Sequence, residues 1–362
     1  MDADQLAGVQ PPSGPTDSPD AGAPMGRRRF LHVAGLGAGT LAVAGAGGLT
    51  WRAVDVGTGT GAAYAAWDEL SPPGGTAMDL VRAAVLAASA HNAQPWHFAV
   101  APDRIDLFAD PSRTLGAMDP LLREMDVSLG CALENLVLAG PPNGLAPIVR
   151  LLPDPGDPTH VARVDLAPTA AAASPLFAAV AARHTDRATE AIIADEAQSA
   201  DDFAWYRSDW REIQERKDGI TIDPSGQSPL IRALAKLFPV SRRQNNDGWL
   251  SGTRDSQVPT AAAFGALVVR DPLDRVQRLE AGRSWQRLHL AATVAGLGVQ
   301  PLCQVPERID REISAGLPPQ FGVAMSALLR PGWSPIMTFR IGHPTADALR
   351  SPRRPAADVM LR

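Results

Sequence analysis

Cysteine is scarce in this chain of 362 residues, which contains only Cys131 and Cys303. Two cysteines are too few for a disulfide framework, and their spacing matches no metal-binding motif. Both are therefore interpreted as small buried hydrophobic residues. The seven histidines are scattered, and none pairs with another in a zinc-type motif, so a metal centre is not expected.

An excess of positive charge is also absent, because the formal net charge is −5. Proteins that bind nucleic acid normally carry a basic surface, so no nucleic-acid partner is expected. Hydrophobic residues make up 45% of the chain, which is enough to bury the core of one large domain or two of ordinary size. No acid–base pair, Ser-His-Asp order or phosphate-type glycine loop stands out.

The N-terminal region divides by composition into three parts. Residues 1–24 are rich in Pro, Gly, Asp and Ser, which predicts a disordered N-terminus. Residues 25–50 contain Arg27-Arg28-Arg29-Phe30-Leu31 and an uncharged run over 33–49, a pattern typical of a twin-arginine signal for export after folding. Residues 51–75 carry Gly, Ala and Pro with little pattern and are interpreted as a linker or surface strap.

The twin-arginine pattern predicts export through the Tat translocase to a periplasmic or other extracytoplasmic location. Small residues in the uncharged run would support cleavage, but the run also approaches the ~20 residues of a membrane helix. A released protein and one tethered by its N-terminal segment, facing out, therefore both remain open. An uncleaved membrane anchor or a chance basic cluster is the alternative interpretation.

Apolar periodicity predicts an α+β fold in two related halves, residues 76–170 and 171–362. The first half carries a helix after Ala77, strand patterns at 98–100 and 105–107, a long one-faced helix through 125–136, and strand patterns at 148–152 and 161–166. The second half begins with a helix-like stretch near Ser174. It then carries strand patterns at 266–269 and 336–341 around a long helix that ends near Gly296. This weak internal repeat is typical of a fused pseudo-dimer.

An insertion at 201–257 has no counterpart in the first half. It is polar and carries several aromatic residues. Such an insertion is either a lid over a site or a surface elaboration, and the sequence favours neither.

One stretch after the first helix combines short polar side chains with a rigid Pro-Trp pair. Ser89, Asn92 and Gln94 offer uncharged donors and acceptors, which suit the edge of a planar heterocycle. Pro95 disfavours the helical region for Gln94, so the helix should stop and present these side chains from a loop. The alternative is a plain turn with Trp96 as a core anchor.

A second stretch places Arg183, Thr185 and Arg187 at alternate positions. Two guanidinium groups flanking a hydroxyl can converge on a phosphate, because each guanidinium donates a planar pair of hydrogen bonds. A solvated charge cluster at a helix end is the alternative.

Together, the Asn-x-Gln-Pro-Trp loop and the Arg-x-Thr-x-Arg stretch resemble motifs of the nitroreductase family. The twin-arginine segment makes the Tat-exported branch, with two nitroreductase-like halves in one chain, the most similar group. The resemblance implies bound FMN, with Ser89, Asn92 and Gln94 at the flavin and Arg183, Thr185 and Arg187 at its phosphate. Because each half carries only one of the two motifs, one chain is expected to complete a single FMN site.

The resemblance extends to two further places in the second half. The basic pair Arg353 and Arg354 is expected on the same phosphate. Pro301 and Leu302 occupy the turn whose backbone amide approaches the flavin N5 in the family. The family's acidic-Gly pair after this turn is replaced here by Cys303-Gln304, and Cys303 is interpreted as inert packing.

The implied function is an FMN-dependent oxidoreductase that passes hydride or electrons from NAD(P)H, or from another donor, to an unknown small-molecule acceptor. The flavin would do the chemistry, so no catalytic side chain is named. The alternative is a flavin-binding or flavin-sequestering protein without turnover, in which the 201–257 insertion is a lid. A flavin-free remnant of the fold is a third possibility.

Overall fold

The computed structural model describes residues 60–70, 73–183, 195–223, 232, 235–236, 241–252, 259–344 and 349–361. The predicted N-terminal signal and most of the predicted linker lie outside these ranges, and so do Thr185 and Arg187. All described residues belong to one unit that spans residues 52–362. Within these ranges, no helix combines the length and apolarity needed to cross a bilayer.

Helices and strands are interspersed along the described chain, often two or more of one kind in succession. The helices are α1 (Ala77–Ala84), α2 (Arg123–Ala139), α3 (Pro175–Ala178), α4 (Glu196–Phe203), α5 (Trp210–Arg216), α6 (Arg242–Gly252), α7 (Arg275–Val294), α8 (Gln304–Ala315) and α9 (Gln320–Ser326). The strands are β1 (Trp96–Ala101), β2 (Arg104–Ala109), β3 (Leu145–Leu151), β4 (His160–Pro168), β5 (Ala263–Val269), β6 (Gly298–Pro301) and β7 (Ser334–Gly342). Short 3-10 turns include Ala62–Trp67, Ala90–Asn92, Gly116–Met118 and Val180–Ala182.

The strands form two antiparallel sheets, one from each predicted half. The first sheet has the order β1-β2-β4-β3, and the second has the order β5-β7-β6. One apolar core cluster takes residues from both sheets and from α2 and α7, among them Phe98, Leu129, Trp285 and Ile336. The α+β class predicted from the sequence is therefore confirmed.

Most predicted elements are found close to their expected places, with two differences. The stretch after Ser174 is not one helix but the short α3 followed by a 3-10 turn, so Arg183 lies in extended backbone. Residues 298–301, interpreted as part of a turn, form β6 by pairing with β7. This short edge strand carries no alternating apolar pattern, so only its pairing partner reveals it.

Helices α2 and α7 make the most extensive helix–helix contact. Their backbones approach closely at Gly130 and Gly282, where a Cβ on either glycine would lie 2.1 Å from a carbonyl oxygen of the opposite helix. Cys131 donates its thiol hydrogen to the carbonyl of Gly282 over 3.2 Å. Glycine is therefore required sterically on both sides of this contact.

Residues 60–70, the described part of the predicted linker or strap, are packed into the protein. Tyr64 and Trp67 are buried in the main core cluster. The Tyr64 hydroxyl donates to Asp223 over 2.7 Å, and the buried ammonium of Lys236 donates to the same carboxylate over 2.6 Å. Burial and the Asp223 carboxylate raise the pKa of Tyr64, so the hydroxyl stays a donor.

The C-terminal residues return to the sheet of the first half. Met360 forms a parallel bridge with Phe98 of β1, and the amide of Leu361 donates to the Phe98 carbonyl over 2.8 Å. The last residues of the second half thereby extend the β1 edge of the first sheet.

Replacing Gly282 with alanine should lower the free energy of unfolding by about 3 kcal/mol, because the new methyl group would collide with the Val127 carbonyl and separate the helices. Gly248 of α6 is the matched control, since a Cβ there meets nothing within 4 Å. Gly248→Ala should instead be neutral or stabilise by about 0.5–1 kcal/mol. Urea denaturation of both variants measures the difference. Equal stability of the two variants would contradict the close helix contact.

Candidate functional site

The loop between α1 and β1 has an unusual backbone. Helix α1 ends at Ala84, and the chain then makes the 3-10 turn Ala90–Asn92 before it enters β1. His91, Asn92 and Gln94 have φ values of 49°, 53° and 53°, in the left-handed region that non-glycine residues rarely adopt. The prediction that the helix stops and a loop carries these side chains is confirmed. Strained backbone of this kind is frequent where a ligand is held.

Hydrogen bonds within the loop and to α2 fix its shape. The Ser89 hydroxyl accepts from the Gln94 amide over 2.8 Å and closes the loop. The Ala90 amide donates to the hydroxyl of Ser128 on α2 over 3.0 Å. Gln94 is fully buried. The loop is therefore a fixed part of the fold, although it is irregular.

Two buried arginines from the second half contact the start of this loop. We call residues 86–88, which follow α1, the root of the loop. Arg183 donates from Nη2 to the carbonyl of Leu86 over 3.0 Å, and Arg353 donates from Nη2 to the carbonyl of Ala87 over 3.3 Å. Burial lowers the pKa of Arg183 to about 10, so the group is still cationic near neutral pH. Side chains 170 positions apart in the chain thus meet at consecutive residues.

Arg354 and the strap complete this arrangement. The Arg354 amide donates to Gln94 Oε1 over 2.8 Å, and its guanidinium donates to the Gln94 carbonyl over 3.3 Å. The Arg353 amide donates to the Ala63 carbonyl over 2.7 Å, and its guanidinium lies 5.3 Å from the centroid of the Trp67 ring. Residues 60–70 therefore hold Arg353 against the loop.

The structure thus brings together Ser89, Asn92, Gln94, Arg183, Arg353 and Arg354. Thr185 and Arg187 lie outside the described residues, so their predicted role stays a prediction. Asn92 joins the group because its Nδ2 donates to the carbonyl of Pro352, next to the basic pair, over 2.9 Å.

Pro301 and Leu302 are placed differently from the expectation. Pro301 ends β6, and the Leu302 amide donates to the Thr338 carbonyl over 2.7 Å while the Thr338 hydroxyl donates to the Leu302 carbonyl. Among the described residues, no hydrogen bond joins either position to the loop. The Leu302 amide is therefore engaged in the sheet and does not offer the free donor that the family resemblance implied.

The two cysteines behave as the sequence predicted. Both are buried and free. Burial raises the pKa of Cys131 to about 12, and burial together with Glu124 and Glu307 raises the pKa of Cys303 well above its usual value. Neither thiol is poised to form a thiolate, so the interpretation as inert packing is confirmed.

The first part of the 201–257 insertion, with the residues just before it, lies against the loop. Asn92 Nδ2 also donates to the Gly219 carbonyl over 3.1 Å, and Gln94 Nε2 donates to the Lys217 carbonyl over 2.9 Å. His91 Nε2 lies 2.7 Å from the carboxylate of Asp202. We call residues 195–223 the covering segment. Its carbonyl groups accept hydrogen bonds from the side-chain amides of Asn92 and Gln94, the same side chains that the sequence assigns to a ligand.

Two polar side-chain atoms of the loop, His91 Nδ1 and Asn92 Oδ1, are buried without a hydrogen-bond partner in the described part of the chain. Asn92 is 6% exposed, and its Oδ1 is buried without a hydrogen-bond donor. The orientation of the amide is fixed because Nδ2 faces two carbonyl acceptors. A ligand that presents an N–H group would satisfy this atom, and a flavin ring carries one at its polar edge. The residues present therefore fit a flavin.

Some residues of the site were not anticipated from the sequence. Trp67 and the Ala63 carbonyl hold Arg353, and Arg113 bonds both the Ala93 carbonyl and Asp218 of the covering segment. The available indication was weak: Trp67 stands out among small residues in a segment interpreted as a linker. An aromatic residue in such a segment indicates packing rather than a free linker.

No protein-family model matches the chain. The chain is 28% identical over 328 residues to the Mycobacterium tuberculosis H37Rv protein named "Putative NAD(P)H nitroreductase Rv3131", a match that covers 80% of this chain and 92% of that protein. It is 35% identical over 88 residues to "Putative NAD(P)H nitroreductase acg" of the same strain, covering 24% of this chain and 27% of that protein.

A further relative from the same strain, "Uncharacterized protein Rv3127", is 25% identical over 324 residues, covering 76% of this chain and 89% of that protein. Two of these three relatives carry nitroreductase names. The similarities support a relationship to the nitroreductase family.

A small hollow lies directly beneath the loop. Its volume is about 10 Å³, the space of a single water, and its lining includes Ala90, Ser128 and Asp119. The Asp119 carboxylate accepts the amides of Glu124 (3.0 Å) and Met125 (2.9 Å) and so caps the start of α2. Burial and the neighbouring Glu124 raise the pKa of Asp119 to about 7, against the opposing effect of Arg123.

Stability should therefore fall with rising pH through this group. Because the native state binds the Asp119 proton more tightly than the unfolded chain, the free energy of unfolding should decrease between about pH 4 and pH 7, by up to about 4 kcal/mol. Asp119→Asn cannot ionise and should remove this slope. Urea midpoints of both proteins across this pH range measure it. The same slope in both proteins would contradict the assignment.

Proposed function

We propose that the chain is a nitroreductase-like oxidoreductase that binds one FMN. It would transfer hydride or electrons from a nicotinamide or another donor to an oxidised small molecule. The observation that carries the proposal is the meeting of Arg183 and Arg353 at consecutive carbonyls of the loop that presents Asn92 and Gln94. The relatives named as NAD(P)H nitroreductases support the same chemistry.

The single site would be completed by two halves that act as a pseudo-dimer within one chain. The loop belongs to the first half, whereas the arginines belong to the second. Helices α2 and α7, one from each half, pack at Gly130 and Gly282, and each half contributes one antiparallel sheet. These features support an intrachain counterpart of a two-subunit site, with one site per chain.

Each residue group has a role that its chemistry suggests. Asn92 Oδ1 would accept from the N–H at the flavin ring edge, with Ser89 and Gln94 shaping the loop around it. Arg183, Thr185, Arg187, Arg353 and Arg354 would hold the phosphate, since a guanidinium offers five N–H donors. Bound FMN would supply the acceptance and donation of hydride.

We further infer that the protein acts outside the cytoplasm after export by the Tat translocase. The support is the triple arginine with Phe30-Leu31 and the uncharged run over 33–49. Folding before export suits a protein that must load a cofactor first. After export, the protein would either stay tethered to the membrane by its N-terminal segment or be released by cleavage of that segment.

Removing the phosphate-binding arginines should weaken FMN binding selectively. Arg183→Gln combined with Arg187→Gln should lower FMN affinity about 100-fold, because two charge-assisted contacts are lost. Affinity for riboflavin, which lacks the phosphate, should fall by less, because for this ligand only the Arg183 contact to the Leu86 carbonyl is lost. Arg243→Gln is the matched control, since the Arg243 side chain is 92% exposed. Flavin fluorescence titration measures both affinities, with circular dichroism to confirm folding. Normal FMN affinity in the double variant would refute the phosphate site.

A second candidate function is supported by the covering segment. Its Lys217 and Gly219 carbonyls accept from the Gln94 and Asn92 amides, and Asp201 accepts from the Ala117 amide over 2.6 Å. If this segment also shields the flavin face that a nicotinamide must approach, the protein binds or sequesters flavin without turnover. The two functions differ in whether a second planar molecule can stack on the ring.

Loosening the covering segment distinguishes the two functions. Asp201→Ala with Asp202→Ala removes the contacts to Ala117 and His91 but leaves the flavin-binding loop intact. If the segment acts as a lid, the FMN-loaded variant should oxidise NADPH roughly tenfold faster than the intact protein. Glu215→Ala, an exposed position on the same segment, is the control.

Equal rates for the intact protein and the variant would decide against the lid. Equal and substantial turnover would favour the enzyme. If neither protein oxidises NADPH although both bind FMN, the lack of turnover would have a cause other than the covering segment.

A further inference from the structure

Two buried amide side chains link the root of the loop to the central helix pair. Gln286 on α7 and Asn135 on α2 are both fully buried. Gln286 Oε1 accepts from the Ala88 amide over 3.2 Å, and its Nε2 donates to Asn135 Oδ1 over 2.8 Å. Asn135 Nδ2 then donates to the Ala83 carbonyl over 2.9 Å. We call this chain of hydrogen bonds the amide relay.

The direction of the amide relay is set by its two ends. The backbone amide of Ala88 can only donate, so it faces the oxygen of Gln286. The Ala83 carbonyl can only accept, so it faces the nitrogen of Asn135. Only one orientation of each side chain then satisfies the link between them. Neither amide can flip without leaving buried polar groups unpaired, which is unfavourable.

The amide relay meets the loop beside the contacts of the two arginines. The Leu86 carbonyl is bound by Arg183, the Ala87 carbonyl by Arg353, and the Ala88 amide by Gln286. Three consecutive residues at the root are therefore each held by a side chain from the second half. An apolar residue would serve equally well to pack α2 against α7, so the buried amide groups indicate a demand for precise placement.

We propose that Gln286, supported by Asn135, is a positioning residue for the flavin. It fixes the position of the loop root relative to Arg183 and Arg353. Asn92 and the arginines can then contact opposite ends of one ligand. This inference rests on the proposed function. The amide relay binds backbone groups of Ala88 and Ala83 and none of the side chains assigned to the ring or the phosphate, so its loss should displace the loop as a whole.

The test is flavin affinity of Gln286→Met, a variant of similar size that cannot accept from Ala88 or donate to Asn135. Its affinity for FMN and for riboflavin should fall about tenfold alike, because one buried hydrogen-bond link is broken and the loop shifts. Arg187→Gln, at a position assigned only to the phosphate, should instead lose FMN affinity selectively. Gln277→Met on the same helix is the matched control, since Gln277 binds backbone amides near Arg270 and does not reach the loop.

Asn135→Leu breaks the amide relay from its other end and supplies a second variant in case Gln286→Met does not fold. It should show the same tenfold loss, and the double variant should lose little more than either single variant, because the relay acts as one unit. Affinities are measured by fluorescence titration at a temperature where circular dichroism shows every variant folded.

The outcomes separate positioning from simple packing. A lower urea midpoint with unchanged flavin affinity in folded Gln286→Met or Asn135→Leu would overturn the proposal, because packing alone predicts that result. If the intact protein binds neither FMN nor riboflavin, the proposed function fails, and the positioning role fails with it. If the intact protein binds both flavins, and the relay variants lose affinity for both while Gln277→Met does not, the proposal stands.

Discussion

The candidate site depends on two guanidinium groups that donate to consecutive carbonyls at the root of one loop. Arg183 and Arg353 come from distant parts of the chain, and both are buried where water cannot replace their contacts. Removing a partner from a buried charged hydrogen bond is costly, so this geometry is strongly favoured once the fold forms. It allows the next residues to adopt left-handed backbone conformations that would be unfavourable in isolation.

The central helix pair makes this meeting of remote residues feasible. Gly130 and Gly282 let α2 and α7 approach until their backbones touch, which brings α7 under the loop that follows α1. The strap closes the other side, because Trp67 and the Ala63 carbonyl hold Arg353. Local strain at the loop is thereby supported by rigid packing on two sides, as a preformed binding site requires.

The sequence was informative where structure is local. The apolar spacing of α2 and the paired strand patterns around Pro102 predict elements that the structure contains, because periodicity reflects burial directly. It was less informative where structure depends on remote partners. The edge strand β6, the burial of Trp67 and the engaged amide of Leu302 are each set by contacts with residues far away in the chain. The sequence does not predict the role of Gln286 and Asn135, because a single buried amide side chain leaves no periodic pattern.

The proposed flavin site is single and is built by one chain from two halves. The most direct test is the visible absorbance spectrum of the purified protein, followed by identification and quantification of any released chromophore. A flavin spectrum with close to one FMN per chain is expected, either as purified or after addition of FMN. Two flavins per chain would contradict the single shared site. A colourless protein that does not take up added FMN would contradict the flavin site altogether.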